Sequence, residues 1–155
     1  ELWDTLWSAG QSLDVTPGCP NLIERIEGGL LSYGNEMTRN NNPLEINLDR
    51  FCTLDGQIDY IGRPALEDIS RDGPVQRMRG LLFDGGPCPA CGSPWPVYAS
   101  DRPVGYVTSA IWSPRLKRNV ALGMVQRGFW AIGQSVSVHS ADGIERSGSV
   151  QATPM

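Results

Sequence analysis

From residue 75 onward the sequence breaks into six short extended segments: "VQRMRGLLF", "PWPVYA", "VGYVTSAIW", "NVALGMVQ", "QSVSVHS" and "ERSGSVQA". Gly, Pro, Asp and Ser turns separate them, and no stretch with helical spacing intervenes. Short strands at regular spacing predict a small antiparallel β-barrel or jelly roll, because closing a sheet is the one way to remove its edges altogether. In "SVSVH", Val136 and Val138 alternate with serines, so one face is expected to be buried and the other wet. "NVALGMV" is apolar at nearly every position and reads as a central strand.

The preceding residues have a different texture, and we place the boundary at about Gly73, giving segments 1–73 and 74–155. Leu2, Trp3, Leu6 and Trp7 form an apolar stripe on a short helix ending near Gly10, which is expected to pack on something. "VTPGCP" is a connector. Asn21 is placed to cap a helix through Leu22, Ile23 and Ile26, with Glu24 completing a box-like arrangement and Gly28-Gly29 ending it. "LLSY" is a strand candidate, "TRNNNP" a loop leading to a helix near Pro43, and "DRFCTLDGQIDYIG" a strand, turn and second extended piece. Pro64, Leu66 and Ile69 predict a last helix stopped at Gly73-Pro74. The fold class expected is therefore α+β: short helices and strands, then an antiparallel barrel. Helical spacing from the second residue leads to the expectation that this is a piece of a longer chain.

A net charge of −4 argues against a nucleic-acid surface. No apolar run approaches the ~20 residues needed to span a bilayer, so no membrane partner is expected. Cys88 and Cys91 in "CPACG" have the spacing of half a zinc site, but Cys19 and Cys52 form no second pair and His139 stands alone. Prolines 87, 89, 94 and 96 make that stretch a loop rather than the strand-to-helix setting of a redox pair. The preferred reading is reduced thiols in a cytoplasmic protein, with no metal. His139 on an alternating strand reads as a surface residue rather than a catalytic base, and "GLLFDGG" lacks the lysine of a phosphate loop.

Two polar clusters remain. Asn21, Arg25 and Glu27, with Glu24, lie beside Tyr33 and Asn35. One view is plain pairing on a solvated helix face, worth under ~1 kcal/mol. The other is that backbone brought close through Gly28, Gly29 and Gly34, next to an aromatic ring, suits a flat aromatic ligand with a carboxylate tail. The second cluster, "VTSAIWSPRLKRN", carries Thr108, Ser109, Arg115, Lys117 and Arg118. It reads as a hairpin end with solvated charges or as an anion-facing rim or domain contact.

The stretches "IERIEGGLLSYGNEM", "NNPLE", "DYIGRPALE" and "GYVTSAIWSPRLKRNVALGMV" resemble, in order and spacing, the C-terminal part of the glycine-cleavage T-protein family of folate-dependent transferases. Within it, "GCPNLIERIEGGLLSYGN" and "WPVY" look like the dimethylsulfoniopropionate demethylase branch, which moves an S-methyl group to tetrahydrofolate. Two positions depart from the aminomethyltransferases: Asn21 stands where they have an arginine thought to face the folate glutamate, and Ala110 replaces the glycine of Thr-Ser-Gly. The resemblance implies tetrahydrofolate as cofactor, a small methyl donor, and Asn21, Arg25 and Tyr33 as folate-side residues, with Glu27 and Asn35 as second choices. It also implies that the pterin-gripping acid lies upstream of Glu1, so catalytic residues within the chain are not assigned. The alternatives are a glycine-cleavage aminomethyltransferase and a non-catalytic module, derived from the family, that associates as a homodimer.

Overall fold

The computed structural model describes residues 1–15, 21–56 and 58–155. Its larger part is a closed antiparallel barrel of six strands: β1 (Gln76–Phe83), β2 (Trp95–Ala99), β3 (Arg102–Ser113), β4 (Arg118–Gln126), β5 (Ser135–His139) and β6 (Glu145–Gln151). The order around the barrel is β1-β4-β3-β2-β5-β6, with β6 returning to β1 through pairs such as Leu81 with Val150. Strands β2, β3 and β4 follow one another as hairpins while β1 lies beside β4, a Greek-key arrangement. All six extended segments of the sequence therefore become strands.

Alternation along each strand sorts the side chains. Leu81, Phe83, Val97, Val107, Ala121, Val125, Val138 and Val150 fill the barrel interior. Strand β4 is the exception in having both faces covered: Ala121 and Val125 point inward while Val120, Leu122 and Met124 meet the first part of the chain. Its nearly unbroken apolar run follows from this double burial. The crossings are tight. A side chain at Gly105 or Gly123 would collide with the backbone oxygen of Met124 or Tyr106, respectively.

Three helices precede the barrel, α1 (Leu2–Gly10), α2 (Leu22–Glu27) and α3 (Arg63–Asp72), with short 3-10 turns at Gln11–Leu13 and Asp49–Phe51. Helix α2 lays Ile26 against Val120 and Leu122, and Leu82, Ile111, Leu116 and Met155 close around it. Next to it, Ile46 packs on Met78 and Met124. These two apolar contacts seat the first region on the outer face of β1, β4 and β3.

Several expectations for the first region change. "LLSY" is not a strand; Tyr33 makes one isolated bridge to Met37, because the Ser32 carbonyl turns the chain by accepting from the amides of Asn35, Glu36 and Met37. Pro43 opens a run of turns instead of a helix: the Asn42 side chain accepts from Leu44 and Glu45 N–H, and Asn47 in the left-handed region (φ 59°) ends the coil. Within 52–62 the described residues form no strand; Arg63 gathers the loop by donating to the Ile58 and Leu54 carbonyls. The predicted connector "VTPGCP" falls outside the described residues except for Val15. Helix α1 does not pack as expected: Leu2, Trp3, Leu6 and Trp7 are exposed, and Trp3 stacks on Trp7 with centroids 6.0 Å apart. No helix among the described residues is long and apolar enough to cross a membrane.

If α2 is an integral part of the barrel's outer core, Ile26→Ala should cost about 2–5 kcal/mol of unfolding free energy. Urea denaturation followed by tryptophan fluorescence measures this, and a loss below ~1 kcal/mol would show that α2 rides loosely on the barrel.

Candidate functional site

Asn21 caps α2 as its position implies, its Oδ1 accepting from the Glu24 N–H at 2.9 Å. The helix then aims Arg25 and Glu27 at the barrel. It stops at Gly28-Gly29 for a reason internal to the chain. Gly29 is left-handed (φ 67°), and a Cβ there would stand 2.9 Å from Thr153 Cβ. The close backbone approach anticipated at this glycine pair is thus filled by the chain's own final residues, and Met155 N–H donates to the Glu27 carbonyl at 2.7 Å. At Gly34 (φ 98°) the space beside the backbone is open.

A buried carboxylate lies at the centre of the arrangement. Glu36, fully buried, receives Arg25 Nη1 at 2.8 Å and the Ser32 N–H at 2.9 Å on Oε2. Ser109 Oγ donates to Oε1 at 2.5 Å. Thr108 Oγ1 stands 2.9 Å from Oε1 and 3.0 Å from the Leu122 carbonyl, so its single proton serves one of them at a time. Ser109 Oγ in turn accepts Arg25 Nη2 at 2.6 Å and faces Asn35 Nδ2 at 3.5 Å. Arg25 also donates to the Leu30 carbonyl at 3.0 Å. Burial alone would raise the Glu36 carboxyl's pKa; Ser109, the Ser32 amide, Thr108 and the Arg25 cation outweigh it and hold the carboxyl below its ordinary range.

Arg25 therefore does not sit on a solvated helix face. It bridges α2, the Tyr33 turn and β3. Glu27 makes a second bridge, accepting Ser113 Oγ at 2.5 Å and Arg115 Nε at 2.7 Å. The Ser113 hydroxyl, with Arg115, holds the Glu27 carboxyl's pKa below its ordinary value against the opposing effect of burial. The hairpin at Ser113–Arg118 is thus in part a contact between the two regions, the second of the views the sequence left open.

Two clefts flank this knot. One, of about 510 Å³, is lined by Asn21, Leu22, Glu24, Arg25, Leu30 and Leu31. The other, of about 380 Å³, runs between the Gly34–Asn41 turn and the cysteine loop, with Asn35, Cys91, Tyr106 and Thr108 on its walls. Asn21 and Arg25 share the first cleft and Asn35 belongs to the second, while Glu27 and Tyr33 line neither. Tyr33 is 74% exposed on the turn between them. Glu36 was not singled out from sequence. Its one signal there is an acid set between a turn and Met37, eleven residues after a cation of the preceding helix.

The cysteine loop is held by buried Asn119, whose amide accepts from the Cys88 N–H and donates to the Asp84 and Gly86 carbonyls. Burial raises both thiols, that of Cys91 to about 11, so they are protonated at neutral pH. Among the described residues no three metal-ligating side chains converge. His139 is part-exposed and stacks on Tyr98 at 4.4 Å.

A carboxylate held low in the folded state binds fewer protons than in the unfolded chain. Its contribution is therefore present above the unfolded pKa of about 4.3 and is lost as pH falls through the folded value. Glu36→Gln should lower stability at pH 7 and make the acid limb of the stability–pH curve shallower. Urea midpoints from pH 3 to 7 check this, and an unchanged slope would remove Glu36 as a source of acid sensitivity.

Residues 76–155 match the glycine cleavage T-protein C-terminal barrel domain, and residues 1–56 match the GCVT N-terminal domain. Dimethylsulfoniopropionate demethylase DmdA of Ruegeria pomeroyi is 49% identical over 143 residues, covering 92% of this chain and 38% of that protein. The aminomethyltransferase of Symbiobacterium thermophilum is 36% identical over 141 residues, covering 88% of this chain and 36% of its own length. The crystal structure of glycine cleavage system aminomethyltransferase T from Bartonella henselae superimposes with a TM-score of 0.66 at 23% identity, over 84% of this chain and 36% of that one, which shows the same fold. The chain thus spans little more than a third of the length of these relatives. A matched barrel, a matched preceding segment and near-complete coverage by full-length relatives together make the chain a member of the glycine cleavage T-protein family.

Proposed function

We propose that the chain supplies one wall of a folate cavity and the C-terminal barrel to a tetrahydrofolate-dependent methyltransferase of the dimethylsulfoniopropionate demethylase kind. The observation that carries this reading is the 49% identity to that demethylase across 143 residues, against 36% to an aminomethyltransferase over a similar span. When bound, tetrahydrofolate supplies N5 as the acceptor of the methyl group. Catalysis in such a site is largely positioning and exclusion of water, to which this chain would contribute orientation.

The residues present fit a folate-like ligand. The cleft beside α2 falls within the range of small-molecule pockets, about 300–1,000 Å³, and joins apolar Leu22, Leu30 and Leu31 to polar Asn21, Glu24 and Arg25. Three of the five N–H donors that a guanidinium carries are engaged at Arg25, with Glu36, Leu30 and Ser109. The remaining donors could meet a carboxylate without disturbing the knot. The Asn21 side-chain N–H₂ is likewise free of the cap that its oxygen makes. Tyr33 offers an exposed ring beside the cleft, and Asn35 continues the polar rim toward the second one.

A chimera tests the reading directly. This chain replaces the matching segment of the Ruegeria demethylase, and 5-methyltetrahydrofolate is measured with dimethylsulfoniopropionate as donor. Retained turnover is the expected result, and a folded chimera without turnover would overturn the proposal. In that chimera Tyr33→Ala should raise the KM for tetrahydrofolate about tenfold with kcat little changed; an unaltered KM would place the ring outside the site.

The uncovered stripe of Leu2, Trp3, Leu6 and Trp7 favours a second reading, an association module in which two copies bury this face. Sedimentation velocity at two concentrations tenfold apart would show self-association in the wild-type chain and its loss in Trp3→Ala. A strict monomer at both concentrations would dismiss it.

A further inference from the structure

One end of the barrel carries a concentration of cations that neither cleft uses. Along β1, Met78 and Leu82 face the first region while Leu81 and Phe83 face the interior. Arg77 and Arg79 share the parity of Leu81, so they point toward the interior at the open mouth, paired in register with Val125 and Gly123. The connection after β4 folds over this mouth and packs Phe129 and Trp130 on the interior core. Arg77 lies over the Trp130 ring at 5.7 Å, and Arg79 Nε donates to the Trp130 carbonyl at 2.9 Å. From the start of β3, Arg102 lies over the Phe129 ring at 5.1 Å.

About half of the chain's cations are met by acids. Arg25, Arg63, Arg71, Arg115, Arg118 and Arg146 each pair with a carboxylate. Arg77, Arg79 and Arg102 pair with none among the described residues, and neither do Arg39, Arg50 and Lys117, although the chain carries 17 acids against 13 basic residues; what sets the three apart is that they gather around one pair of neighbouring aromatic rings. Asp101 is Arg102's chain neighbour yet makes no ion pair with it, and Arg127, close by, spends its donors on the Gly73 and Pro74 carbonyls. Arg77 Nε is buried without a hydrogen-bond partner. Burial, then the like charge of Arg77, depresses the Arg79 guanidinium's pKa.

Arg77 and Arg79 are half-buried side by side while Arg102 stays exposed at the rim; half-buried cations without a counter-charge are costly, and aromatic rings offset only part of that cost. An oxyanion offsets the rest, since a guanidinium fork matches phosphate and carboxylate bidentately. We propose that the barrel mouth formed by Arg77, Arg79 and Arg102 around Phe129 and Trp130 binds a small molecule bearing clustered oxyanions, either phosphates or carboxylates. The site is separate from the α2 cleft and does not depend on the folate reading.

Isothermal titration of the purified chain with tripolyphosphate and with citrate, at ionic strength fixed by sodium chloride, tests this. Saturable binding of at least one probe is expected. Arg77→Gln and Arg102→Gln remove no hydrogen bond seen within the chain, and each should weaken binding about tenfold, while Arg39→Gln on the asparagine-rich loop leaves it unchanged. Tripolyphosphate alone binding identifies a phosphate ligand, citrate alone a polycarboxylate, and both the shared chemistry. Absence of saturable binding, or binding indifferent to both variants, overturns the proposal. The Arg77 Nε–H resonance of the wild-type chain gives an independent readout if a variant fails to fold: it should move with probe concentration, and a stationary signal would equally overturn the site.

Discussion

The buried Glu36 carboxylate is the constraint on which the first half of the molecule depends. A charge withdrawn from water must be met by donors, and here they come from three separate places: Arg25 on α2, the Ser32 amide in the turn, and the Thr108 and Ser109 hydroxyls on β3. Helix, turn and barrel are locked in one register by the requirement to satisfy it. A helix of six residues has no stability of its own, so its direction is imposed by this knot and by Ile26 beneath it. The cleft beside α2 inherits its shape from the same contacts.

The barrel supplies the rigid floor. Because β4 is covered on both faces, it couples the interior core to the outer seat of the first region, and a change at Leu122 or Met124 is felt at Ile26 and Ile46. Glu27 adds a polar tie at the Ser113–Arg118 hairpin, and Arg115 also accepts the role of holding the final residue by donating to the Met155 carbonyl. Folding and site formation are therefore hard to separate in this chain. Arg25 is bound into the Glu36 knot, which is why an exposed ring such as Tyr33 is the cleaner probe of the proposed ligand.

The barrel mouth shows the opposite economy. Six other arginines find acids; Arg77, Arg79 and Arg102 find aromatic rings and backbone carbonyls. The tryptophans of α1 form an exposed apolar surface, and the mouth a charged one.

Local chemistry made the six strands, the Asn21 cap, the first-turn Pro64 of α3 and the central place of β4 readable, since period-two alternation, a three-residue capping offset, a proline at a first turn and an apolar run are all short-range signals. The strand in "LLSY" and the helix at Pro43 were misread because carbonyl-centred and Asx turns compete with regular structure without altering hydrophobic pattern. Asn21, Arg25 and Asn35 are candidates the sequence names, but their division between two clefts is not legible there, nor is Glu36 beside them. The sequence by itself determined which segments could be strands and which helix ends were capped. Only the tertiary structure decided that a carboxylate eleven residues from Arg25 and a hydroxyl eighty-four residues away would meet it, because buried charge is satisfied through space and leaves no periodic trace along the chain.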